Sequence, residues 1–145
     1  MNPIKIAFFD IDGTLIDLDL KRMTEPVKHT LLELQKQGVR LCIATGRGPM
    51  TIPRIQGITF DTYLTFNGSY CFDREGDIFS NPIPRQDVLT VIRNARSLGR
   101  TVSVATKTEL GANHTASALY RYNNTAFLVF QIAQSTLLPS HLFPF

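Results

Sequence analysis

Apolar and polar positions alternate along this chain in two distinct rhythms. Residues 4–9, IKIAFF, form a β-branched and aromatic run that predicts a buried strand. Residues 24–38, TEPVKHTLLELQKQG, place Val27, Leu31 and Leu34 at helical spacing. Thr24 suits the N-cap, Pro26 is tolerated in the first turn and Gly38 is a natural stop. A second apolar strand is predicted over 39–44 (VRLCIA) and a third over 62–66 (TYLTF), with a short helical segment between them at 50–55. Strand, helix, strand, with apolar strands, predicts an α/β fold: a Rossmann-like parallel sheet covered by helices.

After residue 66 the rhythm changes. Asn67-Gly68 stands between two alternating runs, TYLTF and SYCFD, which predicts a hairpin. DREGD at 73–77 predicts another turn. A helix is expected from Pro84 to Leu98, with Val88, Val91, Ile92 and Ala95 on one face and Gly99 as its end. A strand follows at 101–106. The expected organisation is a core over 1–68, a smaller α+β unit starting over 69–106, and an atypical tail over 107–145.

The tail is distinguished by composition. From Thr115 to Phe145 the only charged residue is Arg121, and there is no glycine, lysine or acid. No amphipathic period stands out. A buried or swapped segment would have this composition, and so would a tail never selected to fold, such as the product of a shifted reading frame.

The bulk numbers narrow the classes of function. At 145 residues a single domain is the prior. A net charge of +3, on scattered basic residues, gives no argument for nucleic acid. Lys5 and Asp10 interrupt the first apolar segment, so no secretory signal is expected. No apolar run reaches membrane-spanning length. Cys42 and Cys71 lie inside apolar strands, as buried thiols in a cytoplasmic protein would. His29, His114 and His141 show no zinc-like spacing.

The candidate chemistry lies in FFDIDGTLID, residues 8–17. Asp10 and Asp12 sit where the first strand leaves the core, at the end where α/β sheets bind ligands. A carboxylate there can attack phosphorus. A second one, two residues on, can protonate the leaving group and then activate water. Two such charges repel by roughly 4 kcal/mol at about 4 Å and an effective dielectric near 20, so a cation must offset them. Mg²⁺ is hard, prefers oxygen and bridges to phosphate. Gly13 lets the chain turn, and Thr14 can cap or bind. An EF-hand is excluded, because the glycine is fourth from Asp10 rather than sixth and the twelfth residue is Lys21.

FFDIDGTLID resembles the first motif of the haloacid dehalogenase superfamily, hhhDxDGTL. IATGR at 43–47 resembles its second motif, and FNGSY at 66–70 is similar to the NGA signature of the Cof-type branch, with Ser69 in place of alanine. The resemblance covers residues 1 to about 106. It implies Asp10 as nucleophile and Asp12 as general acid/base. It implies Mg²⁺ on the Asp10 side chain and the Asp12 carbonyl, and Thr45 as a hydrogen-bond donor to the phosphoryl group. Gly46, Arg47 and Asn67 complete the expected phosphate or substrate contacts. The implied activity is Mg²⁺-dependent hydrolysis of small phosphorylated metabolites through an aspartyl-phosphate, with sugar phosphates the default and nucleotide or cofactor phosphates open.

The family also has a third-motif lysine and a fourth motif, usually GDxxND. Nothing after residue 106 matches either. The chain is therefore expected to be truncated after the start of its cap. Two alternatives to the active phosphatase follow. One is a catalytically poor fragment that binds Mg²⁺ or phosphate weakly. The other is a non-enzymatic module that pairs or self-associates through an open edge at IKIAFF.

Overall fold

The computed structural model describes residues 4–98, 102–108, 110–112 and 129–131. The chain divides into two compact units. One comprises the chain up to Arg47 together with Thr51–Ser80; the other comprises Gly48–Met50 and the chain from Asn81 on.

The first unit is built on a five-stranded sheet in the order β1 (Ile6–Phe9), β2 (Arg40–Ala44), β3 (Thr62–Thr65), β4 (Tyr70–Asp73), β5 (Asp77–Ser80). β1, β2 and β3 are parallel, with Phe8 opposite Cys42 and Cys42 opposite Thr62. β4 and β5 extend the sheet as antiparallel strands. Helix α1 (Glu25–Lys36) makes the crossover between β1 and β2. Thr24 precedes it in an extended conformation without a side-chain cap bond, and Gly38 turns the chain out at φ +79°. Leu31, with Val27 and Leu34 beside it, packs on the sheet face formed by Ala7, Phe9, Leu41 and Ile43. Burying a side chain such as Leu31 stabilises by about 1.5–3 kcal/mol.

The opposite face of β1 is open. Ile6 and Phe8 are 43% and 52% exposed. Among the described residues no strand pairs with the outer side of β1, so it ends the sheet.

The helical segment expected over 50–55 is reduced to one 3₁₀ turn, Pro49–Thr51. Pro53 lacks the amide that would continue it. The expected boundary at Gly68 also moves. Residues 70–80 form β4 and β5, which hydrogen-bond into the first sheet, and the division falls after Ser80. Local pattern marks these residues as strands; pairing with β3 decides which sheet they join.

The second unit contains helix α2 (Arg85–Ser97) and the strands β6 (Ser103–Ala105), β7 (Leu110–Ala112) and β8 (Val129–Gln131). Val88 and Ile92 are fully buried against Val102 and Val104. β6 lies between an antiparallel β7 and a parallel β8. β8 belongs to the charge-poor stretch, so that stretch contributes a strand. The stop expected at Gly99 and the rest of that stretch lie outside the described residues. Among the described residues no helix is long and apolar enough to cross a membrane.

Candidate active site

Three loops follow the carboxyl ends of the adjacent parallel strands, and each carries expected site residues. The first runs from Asp10 to Asp17. It is held by what it buries: Ile11 and Leu15 are 1% and 2% exposed. Between these anchors Asp12, Gly13 and Thr14 are exposed, as is Asp10 before them. The Ile16 amide bonds to the Ile11 carbonyl (2.8 Å) and the Gly13 amide to the Ile16 carbonyl (2.9 Å). That reversal needs Gly13 at φ +79°, which a residue with a Cβ adopts only at a cost.

The second loop carries Thr45, Gly46 and Arg47. The Thr45 amide bonds to the Leu64 carbonyl (2.9 Å) and buries the residue. Its Oγ1 accepts from the Arg47 amide (3.2 Å). Among the described residues the Thr45 hydroxyl hydrogen has no acceptor, so it is free to donate to an anion.

The third loop, Phe66–Ser69, links β3 to β4. It is longer than the two-residue turn that Asn67-Gly68 predicts, with Phe66, Asn67 and Gly68 all at positive φ (+50°, +56° and +88°). Phe66 is the unusual member, since an aromatic residue rarely takes that conformation. Two bonds to the second loop hold it there. The Phe66 amide donates to the Arg47 carbonyl (3.0 Å) and the Asn67 amide to the Thr45 carbonyl (3.1 Å). The Asn67 Oδ1 lies so close to Gly46 that a Cβ there would come within 3.1 Å of it. Gly46 and Asn67 are therefore one packed feature. Nothing in the local pattern of residues foretells it.

Asp10 and Asp12 have different surroundings. Among the described residues the Asp10 carboxylate makes no hydrogen bond or ion pair. Asp12 is gripped by Arg47, with Nε to Oδ2 at 2.9 Å and Nη2 to Oδ1 at 2.6 Å. Arg47 Nη1 donates to the Thr51 carbonyl (2.9 Å). Hydrogen bonding to Arg47 holds the Asp12 carboxyl below the ordinary carboxylate range, with desolvation opposing and the charges of Arg47 and Lys21 adding. The same bonds raise Arg47. No spacing or motif signals this pair, whose members are 35 residues apart.

Among the described residues no group of three or more acids, histidines or cysteines could enclose a metal. The unengaged Asp10 carboxylate, with the Asp12 carbonyl near it in sequence, fits a hard cation that keeps most of its water. Cys42 and Cys71 are free thiols, the first buried.

Residues 7–139 match the family described as haloacid dehalogenase-like hydrolase. YkrA of Bacillus subtilis, a protein provisionally named a phosphatase, is 34% identical over 92 residues, which are 63% of this chain and 35% of YkrA. A solved protein from Geobacillus kaustophilus superposes with a TM-score of 0.72 at 25% identity, over 88% of this chain and 52% of that one. BT4131, a sugar phosphatase of HAD subclass IIB, superposes with a TM-score of 0.70 at 24% identity, over 88% of this chain and 52% of its own. The chain thus spans about a third of its curated relative YkrA and about half of these solved structures.

Proposed function

Because this chain belongs to the haloacid dehalogenase-like hydrolase family, we propose that it carries the nucleophile half of a phosphatase site for small phosphorylated metabolites. The observation that supports this most is the contrast between the two carboxylates. Among the described residues Asp10 is unbound, which leaves its oxygens available for attack; Asp12 is tied by Arg47, as a group that must be aimed.

In this proposal an Asp10 oxygen attacks phosphorus. The new Asp10 O–P bond forms as the ester P–O bond breaks. Because Arg47 keeps Asp12 ionised at rest, Asp12 first takes a proton from the phosphate monoanion or from solvent and then passes it to the departing alkoxide. Asp12, now a carboxylate, takes a proton from water, and that water displaces phosphate from Asp10. The Thr45 hydroxyl donates to a phosphoryl oxygen, and Gly46 lets the backbone approach it. Asn67 braces Gly46 from the third loop. Mg²⁺ on the Asp10 side chain and the Asp12 carbonyl would supply charge neutralisation between the two acids and the phosphate. A sugar phosphate is the substrate class we favour, by likeness to BT4131. Residues from Asn81 on are proposed as the start of a cap.

The test is turnover of p-nitrophenyl phosphate by the whole chain in Mg²⁺, with Asp10→Asn beside it. An amide cannot attack phosphorus effectively. Retained turnover in Asp10→Asn would sink the proposal.

A further inference from the structure

Arg47 is fixed at both ends. Its amide donates to Thr45 Oγ1 (3.2 Å) and its carbonyl accepts from the Phe66 amide (3.0 Å), so its backbone belongs to the stitched pair of loops. Each of its three guanidinium nitrogens has a protein acceptor, which uses three of the five N–H groups. Nε and Nη2 take the two oxygens of Asp12, and Nη1 takes the Thr51 carbonyl. Two parallel bonds to one carboxylate fix its plane as well as its place, which a lysine ammonium cannot do. Asp12 needs such a hold. Its side chain is 48% exposed, and no other described residue bonds to its carboxylate.

The phosphoryl group has other donors to hand. The Thr45 hydroxyl hydrogen and the Gly46 amide have no acceptor among the described residues. Turning the Nε–Nη2 fork toward the phosphate would instead break two charge-assisted bonds and leave Asp12 unsupported. A residue used twice in one cycle, toward a leaving oxygen and then toward water, gains most from a fixed orientation.

We propose that Arg47 is the positioning residue of Asp12, held by the Thr51 carbonyl, and is not a ligand of the phosphoryl group. This rests on the phosphatase reading for the task Asp12 performs. It assigns Arg47 differently from the phosphate contact that its place after Thr45 implies.

The experiment is a double-mutant cycle with a spectroscopic arm. Arg47→Lys and Arg47→Ala are each made alone and with Asp12→Asn, and p-nitrophenyl phosphate turnover is measured in Mg²⁺. Each Arg47 variant alone is expected to lose on the order of 10²-fold in kcat, the scale of a small misplacement, with KM within about twofold. In the Asp12→Asn background neither should lose more, because the partner is already gone. Lysine should not rescue.

Nitrogen-15 NMR of the arginine Nε–H groups reports the fork without turnover. The Arg47 signal should be protected from exchange, lose protection in Asp12→Asn and stay put on saturation with inorganic phosphate. A KM raised about tenfold or more, losses that add to Asp12→Asn, or an Arg47 signal that moves with phosphate would each overturn the assignment while leaving the phosphatase reading intact. A protected signal in a chain that turns over no ester would overturn that reading, and the assignment with it.

Discussion

The parallel and antiparallel halves of the first sheet treat their polar side chains in opposite ways. At the ends of β1 and β2, Asp12 and Arg47 are paired, but two groups stay open among the described residues: the Asp10 carboxylate is unbound, and the Thr45 hydroxyl hydrogen has no acceptor. In the β3–β4–β5 meander they are closed on one another. Thr65, fully buried, donates to the Tyr70 carbonyl (3.1 Å), and the Tyr70 hydroxyl donates to Asp77. Asp73 caps its own turn through the Glu75 and Gly76 amides (2.8 and 3.2 Å). Tyr63 and Tyr70 stack on Phe72 with ring centroids 5.0 and 5.1 Å away. On the proposed reading the first half serves reactivity, and the other holds the third loop against the second. Changes in the first should alter rate and spare stability, and changes in the meander should do the reverse.

The largest effect is expected at Asp10. Asp10→Asn should lower turnover by at least roughly 10³-fold, the scale on which removing a nucleophile acts. Its melting temperature should stay the same or rise, since an exposed charge beside Asp12 is removed. Thermal unfolding run with the kinetic assay checks both halves of the statement. A destabilised Asp10→Asn would mean that this carboxylate carries structure after all.

Metal affinity sharpens the same side. With only Asp10 and Asp12 to offer among the described residues, the site should bind Mg²⁺ no tighter than about 10⁻⁴ M. Titration calorimetry on the purified chain measures this directly. Tight stoichiometric binding would show that further ligands reach the two aspartates.

A third variant probes where the halves meet. Gly46→Ala puts a Cβ within 3.1 Å of Asn67 Oδ1. Overpacking of this kind costs about 1–3 kcal/mol. Because Asn67 sits on the strained third loop, the shift should be felt in both stability and phosphate-ester turnover. Chemical denaturation reads the first. Full turnover in Gly46→Ala would separate Asn67 from the site.

How much of this is legible in the sequence follows the same divide. The strands that lead to Asp10 and Thr45, and the helix between them, announce themselves by period and by Gly38. The DxDGT string alone puts both acids where the first strand ends. The meander is legible only as strands and a turn. Its allegiance to the first sheet depends on register with β3, which no local pattern encodes. The positive φ of Phe66 is imposed by bonds from Arg47 and Thr45, residues far away in sequence. The Arg47–Asp12 fork is likewise a consequence of strand order. The charge-poor stretch after Thr115 has no period to read, and β8 within it is defined by its partner β6.

The smallest effect is a test of the meander by pH. Burial, aided by the bond to Asp77, pushes the Tyr70 hydroxyl up from 10 to about 12. The folded chain therefore keeps this proton where the unfolded chain has begun to lose it. Stability from Tyr70 is fully present below pH 10 and is lost as pH rises from 10 through about 12. Burial raises Tyr63 as well, so both rings contribute to the alkaline limb. Tyr70→Phe deletes one hydrogen bond, which should cost about 1 kcal/mol at neutral pH. It should also flatten the limb without abolishing it, since Tyr63 still titrates. Urea denaturation at a series of pH values from neutral to alkaline, wild type against Tyr70→Phe, gives both numbers. An unchanged limb would move the alkaline loss away from this hairpin. Reduced turnover at neutral pH would show that the two halves of the sheet are not separable.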